Sequence, residues 1–152
     1  MRFGAGFWGP FRLRRYVEYA RLAEAQGFDV AWIGDTQLLT PDLYSVLALC
    51  ANATSRIGIG SGVTNTVTRD ATVTAGGFLA LNEFSNGRCR LGIGVGGSAV
   101  HTVGLPEDRA AAFRQKLALI KALVRGEPVE VNGVRAQGKI AAPPVPVYVA
   151  SS

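Results

Sequence analysis

"RIGIGSGV", residues 56–63, returns 34 positions later (56 to 90) as "RLGIGVGG", residues 90–97. In both, every second residue is glycine, although a strand glycine costs backbone entropy and offers nothing to pack. Something has to lie against the bare faces. Either a helix or a bulky inward side chain approaches them closely, or both faces line a cavity that a flat ligand fills.

Outward from the two repeats, apolar runs and helical periods alternate along the chain. "RFGAGFW" (2–8) reads as a short strand, and residues 12–26 place Leu13, Tyr16, Val17, Ala20 and Ala23 on one helical face that ends at Gly27. "FDVAWIG" (28–34) is a second strand. "DLYSVLALCANAT" (42–54) is a second helix, entered after Pro41 with Asp42 in its first turn. "RIGIGSGV" is strand three, residues 71–85 are helix three with Asp70 as its N-cap, and "CRLGIGVGG" (89–97) is strand four. Helix four runs from about Arg109 to Arg125, with Ala110, Phe113, Leu117, Ile120 and Val124 inward, and stops at Gly126. A hairpin insertion at about 128–140 turns at Asn132-Gly133, the favoured type I′ pair. "VYVASS" (147–152) is strand five, with Val147 and Val149 turned inward.

Strand and helix alternating with short loops means α/β with a parallel sheet. Two architectures compete, an open doubly wound sheet and a (β/α)₈ barrel; 152 residues against about 250 for a complete barrel favour the open sheet by length alone. In both, ligands bind where strands end at their C-terminal side. Polar residues collect there: Asp35 and Thr36 after strand two, "TNTVTRD" (64–70) after strand three, "SAVHT" (98–102) after strand four.

Composition narrows the function classes. With 48% hydrophobic and 18% charged residues the chain reads as a soluble, cytoplasmic globular protein; it has no run long enough to span a bilayer and no secretory signal. The net charge of +5 comes from scattered arginines rather than a basic stripe, which argues against nucleic acid. Cys50 and Cys89 have no metal-ligand spacing, so no metal is expected. Gly92, Gly94 and Gly97 satisfy a dinucleotide fingerprint, but "SAVHTVGLPEDR" (98–109) separates them from the helix whose amides would meet a pyrophosphate.

The ordered set "WIGDTQ" (32–37), "IGIGSGVTNTVTRDATVTA" (57–75), "NEFSNGRCRLGIGVGGSAV" (82–100), the Asn-Gly hairpin and "PPVPVYVAS" (143–151) resembles the luciferase-like flavin and deazaflavin oxidoreductases. Within them it is similar to the coenzyme F-420 branch that includes methylenetetrahydromethanopterin reductase. The resemblance implies residues 1–152 as the N-terminal half, strands one to five, of a (β/α)₈ barrel, with the C-terminal half absent. It implies a hydride carrier, coenzyme F-420 or alternatively FMN, at the C-terminal mouth, and a small organic substrate. FMN-dependent monooxygenation is the alternative activity; a non-catalytic half-barrel is the alternative from another class. By the same resemblance, Gly62-Val63 forms a bulge with a non-proline cis peptide behind the ring. Val95 and Gly96 pass along the ring's edge, Asp35 and Asn65 hydrogen-bond it, and Ser98 and Ser152 are further contacts. Thr36 and His101 are the candidate catalytic residues; relatives carry carboxylates where Gly6 and Gly97 stand. Arg69 reads as an exposed loop arginine. The 152 residues alone are expected to be inactive and to self-associate, as a homodimer or edge to edge, since a half-barrel leaves strand edges unpaired.

Overall fold

In the computed structural model, which describes residues 1–150, the chain runs β1 (Gly4–Phe7), α1 (Leu13–Ala25), β2 (Val30–Ile33), α2 (Leu43–Ala53), β3 (Gly58–Ser61) and β4 (Thr64–Asn65). It continues through α3 (Ala71–Phe84), β5 (Cys89–Gly94), α4 (Ser98–His101), α5 (Ala110–Leu123), the hairpin β6 (Val129–Val131) and β7 (Val134–Ala136), and β8 (Val147–Val149). The main sheet is parallel in the order β1-β2-β3-β5-β8, with β4 also beside β5. A doubly wound sheet reverses its order at a switch point. This one never reverses, and α1, α2, α3 and α5 pack side by side in chain order. That is the winding of a (β/α)₈ barrel, so the length argument for an open sheet fails.

Local chemistry places the helices. Asp42 caps α2 by accepting from Ser45 N–H at 2.9 Å, and Asp70 caps α3 by accepting from Thr72 N–H at 2.8 Å. At the end of α1, Gly27 takes φ +81° while Phe28 N–H reaches back to Ala23 C=O at 3.0 Å and Gly27 N–H to Glu24 C=O at 3.2 Å, a Schellman stop. Gly126 at φ +74° ends α5. Tyr16, Ala20 and Ala23 are buried as the period requires, but Leu13 and Ala110, in the first turns of their helices, are exposed. Hairpin residues Asn132 and Gly133 both take positive φ, as a type I′ turn demands.

Two long-range polar contacts lock the N-terminal end of the sheet. The Arg88 guanidinium donates to the carbonyls of Ala51, Thr54, Ile57 and Ser85, tying the ends of α2 and α3 to the start of β3. Glu24 Oε1 accepts the backbone N–H groups of Ser55, Arg56 and Ile57 at 2.6–2.9 Å.

The two faces of the sheet differ completely. Toward the helices lie Ile33, Ile59, Leu91 and Ile93, all 1% exposed or less, in one core with Leu47 and Phe78. The other face presents the alternate residues: Gly4, Gly6, Val30, Trp32, Gly58, Gly60, Arg90, Gly92, Gly94 and Tyr148, aligned by register. Side chains cover this glycine face. A Cβ on Gly4 would sit 2.5 Å from Trp32 Nε1, one on Gly60 2.7 Å from Trp32 Cζ3, and one on Gly62 2.7 Å from Trp32 Cβ. Over the second repeat, Val63 lies 3.1 Å from the Cβ position of Gly92 and 3.5 Å from that of Gly94. Close approach of the Trp32 indole therefore explains glycine at positions 4, 60 and 62, whereas at Gly92 the nearest neighbour is the Ser61 carbonyl oxygen of the adjoining strand and at Gly94 the contacts are ordinary packing. The fifth strand is in the opposite phase to the one expected. Tyr148 is the inward residue, edge-on to Trp32 with centroids 5.2 Å apart, because Tyr148 pairs with Gly92, while Val147 packs on the helix-side core.

Candidate functional site at the C-terminal ends of the strands

From Gly60 to Thr64 the third strand takes four steps while its partner, from Arg90 to Ile93, takes three. The extra residue makes a bulge, and the Gly62-Val63 peptide within it is cis, as the resemblance implies. Ladder bonds are interrupted there, and the Ser61 side chain replaces them: its hydroxyl donates to Gly92 C=O at 2.7 Å and accepts from Gly92 N–H at 3.0 Å. Beyond the bulge β4 rejoins β5, setting Asn65 beside Gly94.

Asn65 is the chemically distinctive residue of this end. It is 1% exposed, and its Oδ1 accepts from the backbone N–H groups of Val67 and Thr68 and from the Thr68 hydroxyl. Its Nδ2 is buried with no hydrogen-bond partner. A buried amide donor left unmade is costly, so it marks where a ligand acceptor would be welcome.

Carboxylates hold the residues on either side. Asp35, 5% exposed, accepts from the Thr64 hydroxyl at 2.7 Å and pairs with Arg69. Arg69 also meets Asp42 at 3.3 Å and stacks over the Tyr44 ring, 5.0 Å from its centroid. The expected exposed loop arginine is thus partly buried, drawn in because buried Asp35 needs a counter-charge. Burial pulls the Arg69 pKa down, and the hydrogen bond and charge of Asp35 more than reverse it, so the guanidinium stays charged. On the other side, Thr66 donates its hydroxyl to Asp108, and Lys116 Nζ donates to both Asp108 oxygens at 3.0 and 2.8 Å.

The remaining candidates scatter. Thr36 is 3% exposed, its hydroxyl accepting from Trp8 Nε1 at 3.1 Å, with Thr40 closing the loop around its backbone. Val95 and Gly96 follow β5, and Val95 C=O accepts from Asp108 N–H at 3.0 Å. Ser98 and His101 bound α4, a short helix in a segment expected to be a loop; both are exposed, and His101 Nε2 lies 3.5 Å from Glu107. Ser152 lies outside the described residues. So the structure brings Asp35, Val63, Asn65 and Val95 into one constellation with Thr64, Thr66, Arg69, Asp108 and Lys116, and leaves His101 at its periphery. Sequence reading missed Asp108 and Lys116 altogether; an acid just before a helix and a lysine two turns into it carry no local signal of a common partner 42 and 50 positions upstream.

At the opposite, N-terminal end of the glycine face lies a cleft of about 420 Å³ lined by Arg2, Arg56, Arg88, Arg90, Trp32 and Tyr148. It shares no lining residue with the group around Asn65. Burial alone pushes the Cys50 thiol up to about 12, and Cys89 likewise reaches about 12 through burial, so both behave as core residues. No helix among the described residues is long and apolar enough to cross a membrane.

Comparison with known proteins adds the lineage. The family model described as luciferase-like monooxygenase matches residues 3–152. The chain is 38% identical over 135 residues to a 5,10-methylenetetrahydromethanopterin reductase of Methanolobus tindarius, covering 88% of this chain and 41% of that protein. It is 34% identical over 161 residues to an F420-dependent glucose-6-phosphate dehydrogenase of Beutenbergia cavernae, covering 93% of this chain and 48% of the other. Among solved structures, the coenzyme F420 dependent tetrahydromethanopterin reductase of Methanopyrus kandleri superposes with a TM-score of 0.80 at 27% identity, covering 97% of this chain and 49% of that one. The chain spans under half the length of each of these three.

Proposed function

The chain belongs to the luciferase-like monooxygenase family, and from that premise we propose that it is the coenzyme-facing part of a coenzyme F-420-dependent oxidoreductase. One observation carries the reading: the buried, unpartnered Nδ2 of Asn65, at the end of the bulged strand where a ring acceptor would complete it. The F420-dependent relatives support the choice of deazaflavin over FMN. When bound, the deazaflavin would supply a hydride to an electrophilic carbon of a small organic substrate. Asn65 would donate to the ring's edge, Val63 would back it, and Val95 and Gly96 would run beside it. Asp35 enters through Thr64 and Arg69, as the buried charge beneath the donor. With no acid or base at Gly6 or Gly97, the protein's contribution is orientation.

The test is a titration of the ¹⁵N-labelled chain with coenzyme F-420 and, separately, FMN, followed at the side-chain amide signals of Asn65. Movement with F-420 at lower concentration than with FMN is the expected result. Movement with FMN first would favour the monooxygenase reading, and stationary Asn65 signals with both would overturn the coenzyme site.

A further inference from the structure

The two threonines that flank Asn65 give their hydroxyls to carboxylates from different loops. Thr64 donates to Asp35, which follows β2, and Thr66 donates to Asp108, which precedes α5. Lys116 bonds both Asp108 oxygens and donates to the Thr66 carbonyl at 3.0 Å. Asp108 also uses its backbone N–H on Val95 C=O. One aspartate therefore joins three segments: the strand end that carries Asn65, the strand end that carries Val95 and Gly96, and the second turn of α5. We propose that Asp108, braced by Lys116, is a positioning residue that sets the Asn65 amide and the Val95-Gly96 backbone in register with each other before a ligand arrives.

The Lys116 side chain is 38% exposed and that of Asp108 12%, so solvent screens the pair from the lysine side and discounts its contribution to global stability. Its geometry, however, restricts two loops at once, and restricting groups in their bound arrangement lowers the ordering cost of binding. Asn65 Oδ1 is already committed to the amides of Val67 and Thr68, so the remaining freedom of the side chain is the freedom of the 64–68 segment itself. Asp35 grips that segment at Thr64; Asp108 grips it at Thr66. Removing either leaves Asn65 held from one side.

The inference rests on reading Asn65 as the coenzyme's donor, and its test separates the two. In the ¹⁵N-labelled 152-residue chain, Asp108→Ala, Thr66→Val and Thr66→Ser are compared by amide hydrogen exchange. The expected result is exchange at Val67 and Thr68 about tenfold faster in Thr66→Val, which loses one hydrogen bond to a charged group, at least as fast in Asp108→Ala, which also loses the bonds from Lys116, and close to wild type in Thr66→Ser, which keeps the hydroxyl. Amides of β2 and α1 should be unaffected. The F-420 titration read at Asn65 should move to about tenfold higher concentration in Thr66→Val and return in Thr66→Ser. Unchanged exchange at 67 and 68, a loss that serine does not rescue, or acceleration spread evenly over the chain overturns the clamp. If wild-type Asn65 signals ignore F-420, the coenzyme reading fails, and the exchange data alone still decide whether Asp108 holds Asn65.

Discussion

Replacing Gly60 by alanine tests what the bare strand faces are for. The added Cβ would stand 2.7 Å and 2.8 Å from Trp32 Cζ3 and Cε3 and 2.9 Å from Arg90 Cβ. A rigid indole can shift only by disturbing Gly4 and Tyr148, which it also touches, and Arg90 Cβ is fixed to the neighbouring strand. Overpacking of this kind costs about 1–3 kcal/mol, against about 0.4–1 kcal/mol gained by restricting the unfolded chain. The net expectation is a loss of about 1–2 kcal/mol. Gly6 supplies an internal control: it lies on the same face, in register with Trp32, yet a Cβ there meets nothing within 4 Å. Gly6→Ala should therefore be neutral or more stable, by up to about 1 kcal/mol. The two variants should differ by about 2 kcal/mol, or about 4–8 °C in Tm for a chain of this size. Thermal and urea unfolding would read it, and Trp32→Phe, which shortens the ring, should recover part of the Gly60→Ala loss, with a coupling of at least about 0.5 kcal/mol. Equal stability of the two alanine variants, or no coupling to Trp32, would refute the indole explanation and return the faces to a ligand.

Asp35→Ala should cost about 3 kcal/mol in urea unfolding, since it leaves the partly buried Arg69 with the exposed Asp42 as its one remaining carboxylate, and Arg69→Met in the same chain should recover part of that loss. An unchanged midpoint would refute the structural role of the pair. For Glu24, burial raises the carboxyl pKa, but the N–H groups of Ile57, Arg56 and Ser55 outweigh it and the pKa is lowered from 4.5. Its contribution is thus complete above about 4.5 and disappears as pH falls through the depressed folded value, so the advantage of wild type over Glu24→Gln should shrink in acid; a pH-independent difference would exclude it. Strands β1 and β8 each have a single strand neighbour among the described residues, so sedimentation should find the chain self-associated, with a monodisperse monomer as the contrary result.

The order of the main strands and helices, the cap at Asp70, the stops at Gly27 and Gly126 and the Asn132-Gly133 turn were legible in the sequence, because each depends on residues within a turn of one another; Asp42, read as a first-turn residue, is the cap of α2, and the short helix α4 was not foreseen. The bulge at Gly62-Val63 came through the resemblance rather than through any local rule. The bases of the site, by contrast, required the fold. Composition and period are silent on which way a parallel sheet winds, and only the strand order showed successive helices on one side and a glycine face on the other. Trp32 covers glycines from two neighbouring strands, and one residue of register would have turned it toward the helices instead. Arg69 could pass for a solvated loop arginine until Asp35, 34 positions away, was seen buried beside it. Asp108, Thr66 and Lys116 meet because two strands end at the same level, a coincidence in space between residues 42 and 50 positions apart along the chain, and a hydrogen bond of that span depends on the register of the sheet rather than on the chemistry of any single stretch.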